Sequence, residues 1–379
     1  MKIAFVSLLN SRNIHAWSGT PYYMVSALKD KGHEVTEIGP LYAPCSKLLN
    51  LGNNILTKLT GKYYDYNRSP FVAKSFAKQV QRCLKNESFD LILCPSSIPC
   101  AYLETTIPII SWEDATFAGM VGYYLGGWQK LSNLALKQGN ALQQKALTNS
   151  TLSLFSSDWA ANSALQNYKV DAKKVKVIAF GANITETPTQ SRVEEAIKNR
   201  SKTTCHLLFI GVDWYRKGGD LVIQTANILQ EKGIKVIVDV VGCEPSSELP
   251  DFVRRHGFVS KSNASGKEFI QELLFNAHFL FVPSLAECYG LVFAEASAYG
   301  VPSLTRATGG IPTAVKNGVN GYAFPFDVKP QTYADYIAQE FSNVDNYIAL
   351  ALSARQEFEK RLNWDSAINC FEALVSEIR

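Results

Sequence analysis

The chain has 379 residues, too many for one ordinary hydrophobic core, so two domains are expected. Its 46% hydrophobic and 19% charged residues suit a soluble globular protein, and a net charge of +4 is too small for a nucleic-acid binder while suiting phosphate-bearing ligands or an anionic surface. The eight cysteines, at 45, 83, 94, 100, 205, 243, 288 and 370, form no C-x-x-C pair and several lie in apolar runs, which points to reduced core thiols in a cytoplasmic protein and against a disulfide or zinc framework.

The chain opens on "KIAFVS", a buried-strand pattern too short to span a bilayer and without a cleavage site in the right place. The loop "LLNSRNIHAWSG" follows, then Thr20 as a helix cap with Pro21 at the first helical position, Gly32 as a stop, and the strand "HEVTEIG". Residues 46–68, "SKLLNLGNNILTKLTGKYYDYNR", mix leucines with lysines and aromatics. They read either as an ordinary helix of the first domain or as an interfacial patch for a membrane carrying a lipid-linked acceptor. Helices are expected near 71–86, 128–148 and 158–168, with strands at "FDLILC", "IPIIS", "TLSLFSS" and "KVKVIAFG". Residues 184–203 are polar and read as a linker.

The plan then repeats. "HLLFIG" is a strand, "VDWYRKGG" a loop, "DLVIQTANILQEKG" a helix and "IKVIVDVVG" a strand, matching the first forty residues down to "DKGHEV" and "EKGIKV". Strands "HFLFVP" and "VPSLT" follow, with helices near 266–275, 291–299, 311–316 and 331–341. Two such openings imply two Rossmann-like, doubly wound parallel-sheet α/β domains, residues 1–183 and 204–363. The last stretch, "RLNWDSAINCFEALVSEI", is an amphipathic helix, placed at 364–379.

Ligands of open parallel sheets bind beyond the carboxyl ends of the strands, where helix N-termini favour anions. The loops "WSGTP", "VDWYRKGG", "AECYGLV" and "RATGGIP" have that character. "YRKGG" reads as a solvated turn or as a pyrophosphate clamp; its place between strand and helix favours the clamp. Glu287 and Glu295 lie eight positions apart around Gly290. Glu295 is set in an apolar helix, so it needs a partner, either a ligand hydroxyl or a protein donor.

These residues resemble a family. "PSLAECYGLVFAEASAYGVPSLTRATGGIP" is similar to the E-x7-E signature of the retaining glycosyltransferases of family four, which have the GT-B fold, and "FIGVDWYRKGGDLVIQTANIL" resembles their phosphate-binding K-G motif. "FSSDWAANSAL", "VKVIAFGANI" and the closing "RLNWDSAINCFEALV" resemble other parts of the family in the same order, and "SGTPYYMVSALKDKGHEV" its opening. The resemblance implies two domains facing across a cleft, with the closing helix returning to the first. It implies that Glu287 contacts the donor sugar and Glu295 the ribose. The amides of Gly290, Leu291 and Val292 would meet the phosphates and sugar, and Arg216 and Lys217 the departing diphosphate. Gly19 and Thr20 would contact the donor from the first domain, and the base would lie near Phe258 and Val259. Val212 stands where many members carry Arg.

The expected reaction moves a sugar from a UDP- or GDP-sugar to an acceptor hydroxyl of a glycan or lipid-linked saccharide, with retention, in polysaccharide or glycoconjugate biosynthesis. Neither a prosthetic group nor a metal is expected, because no D-x-D motif stands in a convincing loop and the basic pair can serve the diphosphate. Asp114 is the candidate to orient the acceptor, with Glu113 its rival, and His15 lies in a loop where sugar contacts are expected. Partners are the nucleotide-sugar donor and the saccharide acceptor, with peripheral contact at the inner face of the membrane and no nucleic acid. A nucleotide-sugar epimerase of GT-B-like fold and a non-catalytic nucleotide-sugar-binding protein remain as alternatives. A nicotinamide dehydrogenase is disfavoured, since neither opening strand leads into G-x-G-x-x-G.

Overall fold

The computed structural model describes residues 1–124, 126–244 and 248–378. The chain divides into two compact units, Met1–Ala179 with Ala367–Arg379, and Phe180–Ser366.

In the first unit the apolar runs form β1 (Lys2–Val6), β2 (Glu34–Ile38), β3 (Leu91–Cys94), β4 (Ile109–Glu113), β5 (Leu152–Phe155) and β6 (Val175–Val177). They pair in parallel in the order β2-β1-β3-β4-β5-β6. Strands β1 and β3 are buried nearly throughout, as a sheet covered on both faces requires. The crossover reverses direction between β1 and β3, so the loops after these strands flank a switch point. Helices Pro70–Leu84, Asn133–Asn149 and Asp158–Asn167 each start on a serine hydroxyl that accepts from an amide three residues on, as an N-cap does. The first helix departs from expectation by one residue: Gly19, at φ +85°, is its cap, and Thr20 is already helical. In the closing helix, Trp364–Ser376, Phe371 stacks on Trp112 at 5.9 Å and Glu372 reaches His33 at 2.9 Å. Arg379, where this helix was expected to end, lies outside the described residues.

The second unit repeats the arrangement with β7 (Thr204–Ile210), β8 (Lys235–Val241), β9 (Val253–Arg255), β10 (Phe279–Phe281), β11 (Ser303–Arg306) and β12 (Gly321–Phe324), in the parallel order β12-β11-β10-β7-β8-β9. Here the switch point lies between β7 and β10. The stretch read as a linker contains the helix Gln190–Asn199: Thr189 caps it, and Val193 and Ile197, one turn apart, are buried. Arg200 follows, buried, and donates to the carbonyls of Tyr299 (2.9 Å) and Gly300 (2.7 Å) and to the Tyr347 hydroxyl (2.7 Å). Strands β9 and β12 and the helix Val344–Arg361 also escaped the sequence reading. Five cysteines are buried, but Cys45, Cys83 and Cys370 are exposed and not core residues.

Candidate active site

The loops after β7 and β10 meet at the switch point of the second unit. Gly218 caps the helix Gly219–Glu231 at φ +78°, and a side chain there would bring its Cβ to 2.3 Å from the Pro283 carbonyl oxygen. The close approach of the two loops therefore demands glycine. The Leu285 amide donates to the Arg216 carbonyl at 2.7 Å, and the Trp214 indole donates to Asp220 Oδ1 at 2.7 Å, which holds the first loop in shape. A third loop joins them: the Gly310 amide donates to the Glu287 carbonyl at 3.1 Å.

This frame gathers the expected charges. Arg216 Nη1 donates to Glu287 Oε1 at 2.8 Å and to the Ala286 carbonyl at 3.0 Å; Lys217 Nζ pairs with the same carboxylate oxygen, and the Ser284 hydroxyl donates to it at 3.3 Å. Lys217 and Glu287 are both buried. Burial opposes the charge on Glu287, but Lys217 and then Arg216 outweigh it and hold the carboxyl below its ordinary value. The stability this contributes is present above the ordinary carboxylate pKa and is lost as pH falls through the lowered one. Two cations on one buried carboxylate leave a local excess of positive charge, met in part by Asp213, whose carboxylate stands 3.7 Å from Arg216 Nε.

Gly290 caps the helix Leu291–Ala298 at φ +91°, and Leu291 and Val292 open its first turn, where amides lack intrahelical partners. A Cβ on Gly290 would lie 2.5 Å from the Phe293 ring. Glu295, buried in the same helix, does have a protein donor: Lys261 Nζ reaches its Oε2 at 2.5 Å. Lys261 was not singled out from the sequence, although it stands two residues after Val259 and a buried acid called for a cation. Phe258 is exposed, Val259 half-buried, and the Gly257 carbonyl beside them accepts from the Gly242 amide at 2.7 Å. Val212 is exposed, and Arg216 supplies the guanidinium of this loop.

Gly19, Thr20 and Asp114 belong to the first unit. Trp17, Ser18 and Gly19 all have positive φ, and the Thr20 hydroxyl is buried without a hydrogen-bond partner among the described residues. Ser11, in the same loop, donates to Glu37 at 2.6 Å. His15 is exposed. At the end of β4, Glu113 points into the fold: the Ser97 amide donates to its Oε2 at 3.0 Å and Gln143 Nε2 to its Oε1 at 3.3 Å. Burial raises its pKa to about 7 against these hydrogen bonds. Asp114, one residue on, is half-buried. Among the described residues no three His, Cys, Asp or Glu side chains cluster as metal ligands would.

Comparison with known proteins agrees with this architecture. Residues 20–186 match the family model of Glycosyltransferase Family 4, and residues 190–356 that of Glycosyl transferases group 1. A D-inositol 3-phosphate glycosyltransferase of Streptomyces griseus is 27% identical over 42% of this chain and 36% of its own length. A glycogen synthase of Thermus thermophilus is 32% identical over 36% of this chain and 32% of its own. The chain spans about half the length, or less, of several curated relatives it matches. Among solved structures, sucrose-phosphate synthase from Thermosynechococcus elongatus superposes with a TM-score of 0.70 at 15% identity, covering 100% of this chain and 98% of that one. Anabaena HepE in complex with UDP and glucose gives 0.64 at 17%, covering both chains fully. Two family models in succession, on two six-stranded parallel sheets with the fold of these solved structures, show a GT-B architecture in which a family 4 domain is followed by a group 1 domain.

Proposed function

We propose that the chain transfers a sugar from a nucleoside-diphosphate sugar to an acceptor hydroxyl with retention of anomeric configuration. The observation that carries the reading is the meeting of Arg216, Lys217 and Glu287 at the switch point between β7 and β10.

In this reading the diphosphate lies against Arg216, Lys217 and the amides of Gly290, Leu291 and Val292. Charge growing on the leaving phosphate is then stabilised by groups already fixed in place. Glu287, oriented by its two cations, accepts from the donor sugar's hydroxyls. Glu295 gives one oxygen to Lys261 and the other to the ribose, a division that a carboxylate's lone pairs allow. The base lies near Phe258 and Val259. Gly19 and Thr20 contact the donor from the first domain, read as the acceptor side. There Asp114, and not the inward-tied Glu113, orients the acceptor, whose proton passes to the leaving phosphate oxygen.

The donor is a UDP- or GDP-sugar and the acceptor a glycan or lipid-linked saccharide, in polysaccharide or glycoconjugate synthesis in the cytoplasm, with peripheral contact at the inner face of the membrane. The paired cations take the part a divalent ion would play, so activity is expected to survive EDTA.

A thermal-shift screen of UDP-, GDP- and ADP-sugars tests the donor site, since a ligand at one hundred times its Kd adds about 2.7 kcal/mol of stability. Product analysis by NMR then separates the chemistries. Retained anomeric linkage to an acceptor supports this reading; epimerised donor formed without acceptor would replace it with epimerisation.

A further inference from the structure

The helix Ser46–Thr60 turns an apolar stripe outward. Leu48, Leu51, Ile55 and Leu59 recur at spacings of three and four, so they share one face, and they are 69%, 57%, 50% and 81% exposed. A helix of a soluble domain normally buries such a stripe. Here the other side is fastened to the unit. Asn53, the one buried residue of the helix, accepts from the Tyr64 amide at 2.9 Å; Asn50 accepts from the Tyr66 hydroxyl at 2.9 Å; Leu49 packs against the core. Rolling the leucines inward would break all of these contacts. Tyr42 and Phe71 are 71% and 66% exposed as well. Tyr42 is held by its backbone to Gln79 of the helix Pro70–Leu84, at 3.1 and 2.9 Å.

Charge selects what covers this surface. Between Ile38 and Asn86 the only acid is Asp65, which pairs with Arg68, whereas Lys47, Lys58, Lys62, Lys74, Lys78, Arg82 and Lys85 are all basic. A second copy of the stripe would set lysine against lysine. An anionic lipid surface takes both the leucines and the cations. We propose that the helix Ser46–Thr60, with Tyr42 and Phe71, docks on the surface of an anionic phospholipid bilayer. This deepens the functional reading by naming the surface on which the acceptor is met, and it rests on that reading for the acceptor alone.

The test is co-sedimentation of the full chain with vesicles of equal parts phosphatidylglycerol and phosphatidylcholine, against phosphatidylcholine alone. The chain is expected to bind the anionic vesicles and to stay with the supernatant of the neutral ones. Leu51→Ser with Leu59→Ser is expected to lower partitioning by roughly tenfold or more. Lys47→Gln and Lys58→Gln each lower it by roughly fivefold. All four positions are exposed and outside the donor site, so melting temperature and turnover of a soluble acceptor stay at the parent value. Absence of binding to anionic vesicles, equal binding by the leucine variant, or a dimer in sedimentation velocity that the leucine variant abolishes would overturn the inference. A chain that binds vesicles but transfers no sugar would keep this surface and remove the functional reading, whereas an active transferase that ignores anionic vesicles would do the reverse.

Discussion

Arg216 Nη1 lies 2.8 Å from Glu287 Oε1, and Lys217 shares that oxygen, so the two cations proposed for the diphosphate also hold the acid proposed for the sugar. Removing either cation changes both the charge available to the phosphates and the neutralisation of a buried carboxylate. Lys217→Met is therefore expected to cost about 1–3 kcal/mol of stability, the loss of one charged hydrogen bond on a buried carboxylate that Arg216 still neutralises. It should also lower kcat by roughly a hundred- to a thousandfold. Adding Glu287→Gln should restore much of the stability and none of the turnover, measured by urea unfolding beside initial rates. Wild-type turnover in Lys217→Met would remove the clamp from the mechanism.

Lys261 pairs with Glu295, so under the proposed function it acts on the nucleotide through that carboxylate. Glu295→Ala is expected to weaken nucleotide binding at least tenfold, about 1.4 kcal/mol, by calorimetric titration. Lys261→Met should weaken it as well, by leaving the buried acid without its cation. Lys261→Arg, which keeps the charge, should restore most of the affinity. Tighter binding in Lys261→Met would mean that the lysine competes with the ribose and does not position its acceptor.

Much of the second unit could be read from the sequence because its strands are continuous apolar runs and its glycines mark where loops approach one another. Gly218 and Gly290 stand where a side chain would strike Pro283 or Phe293. What escaped has physical reasons. The helix Gln190–Asn199 is mostly polar, and only Val193 and Ile197 betray its buried face. Strand β9 has three residues and β12 four, too short for a clear period. Lys261 is one lysine among many until the fold brings it to Glu295. The first unit was legible as topology, while its acid at the end of β4 was not: nothing in "SWEDATF" tells that Glu113 turns inward to Ser97 and Gln143.

Glu113 gives the fold a pH dependence opposite to that of Glu287. Its pKa is raised to about 7 from an ordinary value of 4.5, chiefly by burial. The unfolded chain loses this proton first as pH rises. Its contribution to stability is therefore complete below pH 4.5 and is lost by about pH 7, to the extent of about 3 kcal/mol. Glu113→Gln cannot ionise. The difference in unfolding free energy between parent and variant should shift across that window, in the direction of the parent losing ground at higher pH. A constant difference from pH 4.5 to 7 would show that Glu113 titrates at its ordinary value.

Gly290 adopts φ +91° with no room for a side chain. Gly290→Ala is expected to cost about 1–3 kcal/mol through strain. It should also turn the amides of Leu291 and Val292 away from the phosphates, seen as a rise in KM for the donor larger than the fall in melting temperature explains. Parent-like KM with lowered stability would confine this glycine to a structural role.

The most direct test is a crystal structure of the full chain grown with a nucleoside diphosphate. The account predicts diphosphate oxygens within hydrogen-bond distance of Arg216, Lys217 and the amides of Gly290–Val292, with the ribose on Glu295. Nucleotide bound in the second unit away from those residues, or held in the first unit alone, would contradict it.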